Sequence, residues 1–151
     1  MPQSLIKILA HVVFSTKDRF DLIAPEIEPD LFSYISGIVL GNGARLLIGN
    51  GTRNHIHLLM SIGHNDVGKL IGDIKRDSSL WIKKQDRKYG KFYWQRGYGA
   101  FSIGQSQVPS VSSYIRRQKE HHSSKHLSYE DEFRGLCRKY EVEFDERYCW
   151  D

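Results

Sequence analysis

The chain has 151 residues, enough for one domain of ordinary size, and its 40% hydrophobic and 12% aromatic content can build a real core. Twenty-two Lys and Arg against 18 Asp and Glu give a formal charge of +4, a balance that excludes disorder and points mildly toward anionic partners. No run nears the roughly 20 apolar residues of a membrane helix, the first seven residues lack a secretory leader's apolar stretch, and Cys137 and Cys149 are too few for a disulfide scaffold. The expectation is a single reduced, cytoplasmic domain over residues 1–151.

Residues 7–15 hold an apolar run with Val12, Val13 and Phe14, which predicts a buried strand. Leu31, Phe32, Ile35, Ile38 and Val39 then recur at helical spacing, between an acidic start and a stop at Gly41-Asn42-Gly43. Residues 44–50 and 55–62 predict two paired strands around a turn at 51–54. Asp66 can cap a helix that carries Val67, Leu70, Ile71, Ile74 and Trp81 on one face. Residues 92–103, aromatic and interrupted by Gly97 and Gly99, predict a bent strand. A helix from Pro109 to about His122 follows, then a short helix and an irregular tail. This order predicts an α+β fold: a ferredoxin-like or RRM-like antiparallel sheet, with helices covering one face and the other left for chemistry or nucleic acid, the helix of Tyr114 lying near it.

The positive charge is concentrated. Lys69, Lys75, Arg76, Lys83, Lys84, Arg87, Lys88 and Lys91 face only Asp73, Asp77 and Asp86 in the same stretch. A second cluster holds Arg116, Arg117, Lys119 and Lys125 among His121, His122 and His126. Either cluster alone reads as a solvated helix face. Beside Trp81, Tyr89, Phe92, Tyr93 and Trp94 they suit a polyanion whose bases stack on rings, with Lys75, Arg76, Lys83, Lys84, Arg116 and Arg117 as candidate nucleic-acid contacts.

Asn54-His55-Ile56-His57-Leu58-Leu59-Met60 is the most informative stretch. Strand alternation sends His55 and His57 to one face and Ile56, Leu58 and Met60 to the other. Two imidazoles side by side can share a metal ion, and hard divalent ions call for oxygen ligands as well. Tyr114 and Gln118 share a helix face four residues apart, and the Gln118 amide oxygen is a candidate donor; His121, on nearly the same stripe, is a weaker one. Without the histidines, Tyr114 reads equally as a packing aromatic and Gln118 as a surface amide.

Together these residues resemble the single-tyrosine HUH transposases of small bacterial insertion sequences and their repeat-associated relatives. His55-Ile56-His57 matches the histidine–hydrophobe–histidine motif, and Tyr114 with Gln118 matches the catalytic helix. Further similarity lies in Val13-Phe14-Ser15-Thr16-Lys17-Asp18-Arg19, in Trp94-Gln95-Arg96-Gly97-Tyr98-Gly99 and in the tail from Tyr140 to Tyr148. Asn54 departs from the aspartate of many members. The resemblance implies a metal ion, Mg²⁺ or Mn²⁺, on His55, His57 and Gln118, with no nucleotide cofactor. It implies a Tyr114 nucleophile that cleaves and rejoins single-stranded DNA through a 5′-phosphotyrosine, hairpin-flanked substrates, and a homodimer. Imidazole ligands would also accept Zn²⁺ or Ni²⁺.

Rival readings fare worse on the same residues. A histidine-triad nucleotide hydrolase needs a third histidine where Leu59 stands, and a two-motif phosphodiesterase needs His-x-Ser/Thr on two separate strands. A non-catalytic or domesticated single-stranded nucleic-acid-binding module on an RRM-like sheet should show aromatics on the open face, where His55 and His57 stand instead.

Overall fold

The computed structural model describes residues 2–123 and 126–151, which leaves Lys125 of the second basic cluster outside. The chain runs β1 (Leu9–Ser15), α1 (Glu28–Gly41), β2 (Arg45–Gly51), β3 (His55–Ser61), α2 (Val67–Gln85), β4 (Gly99–Ile103), α3 (Val108–Arg116), α4 (Gln118–Ser123) and α5 (Tyr129–Lys139). The strands form one antiparallel sheet in the order β2-β3-β1-β4, the ferredoxin-like arrangement expected from the element order. Among the described residues, no helix is long and apolar enough to cross a membrane.

Every residue of β1 is buried, because both faces of the sheet are covered. On one face Ala10, Val12, Phe14, Ile56, Leu58 and Met60 pack with Leu31, Ile35 and Val39 of α1 and Leu70, Ile71 and Ile74 of α2. On the other, Leu9, Leu59 and Ile103 pack with Val111 and Ile115 of α3, while Val13 and Phe101 pack with Tyr129, Phe133 and Leu136 of α5. The tyrosine-bearing helix α3 thus lies on the second face, as expected, but α5 covers it as well, so that face is not left free. Tyr129, Phe133, Leu136 and Cys137 recur at helical spacing and need a surface to bury against. Gly99 makes room for them: a Cβ there would lie 2.9 Å from the Phe133 ring.

Three other boundaries differ from the reading of the sequence. Of residues 92–103 only Gly99–Ile103 is strand; Phe92 and Trp94 turn into the core, and Trp94 makes a single bridge to Thr16. The helix expected to continue through Gln118 breaks at Arg117, whose φ of −97° and ψ of 18° leave the helical region, so Gln118 opens α4. The closing helix, α5, is longer than expected at 11 residues.

Lys75, a candidate nucleic-acid contact, is committed to the fold. Its Nζ donates to the carbonyls of Gln95, Arg96 and Gly97 at 2.9, 2.9 and 2.7 Å and lies 4.9 Å from the centre of the Phe14 ring. These bonds pin the segment leading into β4 onto α2, and charged donors make stronger bonds than neutral ones. Lys75→Met should cost about 2 kcal/mol in urea unfolding. A variant as stable as the parent would show the clamp to be idle.

Candidate active site

The hairpin of β2 and β3 delivers the two histidines. In its turn, Thr52 N–H donates to the His55 carbonyl at 3.0 Å, and β3 then alternates His55 and His57 onto the face that α3, α4 and α5 cover. Antiparallel pairing places Ser15 opposite His55 and Val13 opposite His57. Both rings are fully buried.

Each ring is held by its outer nitrogen. Asn54 Oδ1 lies 2.8 Å from His55 Nδ1, and the Asn54 amide NH₂ faces the Arg19 carbonyl at 3.4 Å, so the ring donates from Nδ1 and turns the Nε2 lone pair inward. His57 Nδ1 lies 2.8 Å from His11 Nε2. Burial, then the neighbouring His57, lowers the His11 pKa to about 3, so His11 rests neutral and one ring proton bridges it to His57, whose Nε2 points inward. Asn54, the departure from the family pattern, thus keeps the acceptor that fixes the tautomer. This is the outer-shell support that metal-binding histidines use.

The inner nitrogens meet other donors from α4 and α5. Gln118 Oε1 lies 3.1 Å from His55 Nε2, and Gln118 Nε2 donates to Glu132 Oε2 at 2.8 Å. Glu132 Oε1 stands 3.2 Å from His55 Nε2, 3.0 Å from His57 Nε2 and 3.0 Å from His122 Nε2. The Tyr114 hydroxyl donates to Glu132 Oε2. Among the described residues, His55, His122 and Glu132 offer ligand atoms all within 4.8 Å of one another, a cluster compatible with a metal ion.

Electrostatics sets the resting state. Burial pushes the Glu132 carboxyl up, but His57, His122 and His55 outweigh that and hold it well below the usual carboxylate range. Burial lowers His55 to about 4 despite the carboxylate beside it. Burial first, and then the Glu132 charge, push the Tyr114 phenol upward, so it rests protonated. A cleft of about 450 Å³ between α3 and α5 opens beside it, lined by His11, Tyr114, Glu132, Leu136, Lys139 and Tyr140.

Tyr114, His55, His57 and Gln118 thus come together within one chain. Arg116 and Arg117 are exposed at the end of α3 nearby, Arg117 paired with Glu120. Arg76, Lys83 and Lys84 lie on α2, which packs on the opposite face of the sheet. Arg76 is paired with Asp73 and Asp77, and Lys83 Nζ sits 4.0 Å over the Tyr93 ring. His121 lies against the Tyr114 ring at 4.9 Å, and its neighbour His122 is the residue that reaches the carboxylate.

Sequence reasoning missed His11, His122 and Glu132. Two of them carried a signal. His11 alternates with Leu9 and Val13 on a wholly apolar strand face, and Glu132 falls on the apolar stripe of Tyr129, Phe133 and Leu136. An ionisable residue at such a position needs a partner.

His11→Phe removes the hydrogen-bond partner of the buried His57 Nδ1 and should destabilise the protein by about 1–3 kcal/mol in urea at pH 7. His11→Gln, which keeps an acceptor oxygen, should lose less; equal stability of all three proteins would remove the role assigned to His11. Acid should also weaken the fold. Free imidazoles take up protons near pH 6.5, whereas folded His55 and His11 resist until about 4 and about 3. The unfolded chain therefore binds more protons across that window, and Tm should fall steadily from pH 6.5 to 4. A flat profile would contradict the buried neutral rings.

The family of IS200-like transposases matches residues 4–118 of the chain. Among solved structures, a protein from Deinococcus radiodurans R1 assigned as a candidate transposase superposes with a TM-score of 0.60 at 18% identity, covering 78% of this chain and 98% of that one. A REP-associated tyrosine transposase bound to a REP hairpin superposes with a TM-score of 0.61 at 14% identity, covering 82% of this chain and 73% of that one. At these identities the two structures speak for the fold. Among proteins of curated function, no sequence matches. With a family match over most of its length and that fold, the chain belongs to the IS200-like transposases, enzymes that transfer DNA strands.

Proposed function

We propose that this transposase, as one catalytic domain, cleaves and rejoins single-stranded DNA through a covalent 5′-phosphotyrosine on Tyr114. The observation that carries the reading is the shared carboxylate: the Tyr114 hydroxyl and the inner nitrogens of His55 and His57 all converge on Glu132. His55, His57 and Gln118 are the residues that would hold Mg²⁺ or Mn²⁺. Two imidazole nitrogens and an amide oxygen, preset by Asn54, His11 and Glu132, fit such an ion. When bound, the ion supplies Lewis-acid polarisation of a non-bridging phosphate oxygen.

The chain's own residues account for the rest. The cleft beside Tyr114 admits a strand to the hydroxyl, and Lys139 at its wall offers a cation for phosphate. Tyr114 Oη attacks phosphorus, the bond to the 3′-oxygen breaks, and the 5′-phosphate stays on the tyrosine. The phenol directs its proton to Glu132 Oε2, and passing that proton on to the departing 3′-oxygen lets it leave as a hydroxyl. Attack by a 3′-hydroxyl on the phosphotyrosine reverses the step, so strands rejoin without ATP. Tyr114 and the histidines of the same chain meet at Glu132, which supports chemistry in cis, within a cytoplasmic homodimer.

The substrate class is single-stranded DNA with a hairpin. The hairpin bound to the REP-associated neighbour supports this, as do exposed Arg116 and Arg117 near the nucleophile. A non-catalytic module would need an exposed sheet face for bases, and here α3 and α5 cover that face.

Incubation with a hairpin oligonucleotide drawn from the DNA flanking the gene, plus Mg²⁺ or Mn²⁺, should give a covalent protein–DNA adduct on a denaturing gel. Tyr114→Phe should abolish it, and an adduct that persists would refute the nucleophile. His57→Ala should weaken metal binding and stop cleavage while hairpin affinity stays near the parent value. Cleavage near the parent rate in that variant would refute the ligand assignment.

A further inference from the structure

Glu132 lies on α5, beyond residues 4–118 that the transposase family matches, yet its carboxylate sits at the centre of the site. Its spacing is that of a ligand. Neighbouring donors at right angles on a cation, with bonds of about 2.1 Å, stand about 3.0 Å apart. Glu132 Oε1 is 3.0 Å from His57 Nε2 and 3.2 Å from His55 Nε2, while Gln118 Oε1 is 3.1 Å from His55 Nε2.

The protons point the same way. His55 uses its Nδ1 proton on Asn54, which leaves a lone pair on Nε2. Gln118 donates from Nε2 to Glu132 Oε2, so its Oε1, which has no proton, is the atom facing His55. The Gln118 amide oxygen and a Glu132 carboxylate oxygen therefore both stand within 3.2 Å of one His55 nitrogen, and neither oxygen brings a proton. A cation between them turns those close approaches into coordination.

We propose that Glu132 is a carboxylate ligand of the divalent ion, the one acidic donor beside His55, His57 and Gln118; this rests on the metal reading of those three. Two imidazoles and an amide alone would suit Zn²⁺ or Ni²⁺, and a carboxylate shifts the set toward the harder Mg²⁺ and Mn²⁺. His122, whose Nε2 also approaches Oε1, orients the carboxylate. Through Oε2 the same side chain holds the Tyr114 hydroxyl, which sets the separation of ion and nucleophile with one rigid group.

Mn²⁺ titration of the DNA-free protein, followed by calorimetry and by the electron paramagnetic resonance of the free ion, tests this without reference to cleavage. Glu132→Gln should weaken Mn²⁺ binding at least about tenfold, and more than it weakens Zn²⁺ binding. Mn²⁺ affinity equal to or tighter than the parent's would overturn the proposal, since Glu132 would then be a plug that the ion displaces. His57→Ala separates the two ideas: if it binds Mn²⁺ like the parent, the underlying metal reading fails instead. Should Glu132→Gln not fold by circular dichroism, Glu132→Asp decides. Its carboxylate, one methylene short, should lose Mn²⁺ affinity several-fold, and unchanged affinity would overturn the assignment.

Discussion

A carboxylate buried under a protein surface is costly unless it is paired, and Glu132 meets that requirement by drawing four separate elements to one point. His55 and His57 come from β3, the Tyr114 hydroxyl from α3, Gln118 and His122 from α4, and the carboxylate itself from α5. The helices of this layer need not touch one another extensively to be placed accurately. α3 and α4 contribute polar groups to the same two oxygens, and apolar stripes on α3 and α5 seat those two helices on the sheet.

The same constraint explains the break at Arg117. A continuous helix from α3 would carry Gln118 and Tyr114 along one straight face. Ending α3 one residue early lets the Gln118 amide span His55 on one side and Glu132 on the other, while the phenol keeps its own hold on the carboxylate. In this resting arrangement the negative charge of Glu132 works against a phenolate at Tyr114. A divalent cation beside the carboxylate would offset that field and favour a phenolate at Tyr114.

Charge on this molecule is divided between two sides of the sheet. The α2 cations lie over the layer built by α1 and α2, and several are already engaged: Lys75 by backbone carbonyls, Arg76 by Asp73 and Asp77. Arg116 and Arg117 lie on the active-site side, at the end of α3. Linear density of positive charge therefore overstates how much of it can face a strand bound at Tyr114.

Much of this was legible in the sequence, for local reasons. Alternation in residues 55–60 placed both histidines on one face, and helical periodicity with an Asp66 cap marked α2. The strand and helix order gave the sheet topology. Resemblance to a known family then joined His55, His57, Tyr114 and Gln118 into one candidate site. The local signals survive because they depend on neighbours one to four positions away.

What lay beyond reach depended on contacts across the fold. His11 stands 46 positions from His57, and Glu132 stands 75 from it. No local pattern records which distant polar group will meet which ring. The strand expected at 92–98 yielded to burial of Phe92 and Trp94, and the free sheet face yielded to α5, whose apolar stripe had no other surface to cover. Sequence by itself determined most of the elements, since propensity and periodicity are short-range, and its resemblance to a family named the candidate site residues. Only the tertiary structure decided which face closed and which carboxylate filled the centre, because burial and charge pairing are settled by whatever the folded chain brings within a few ångströms.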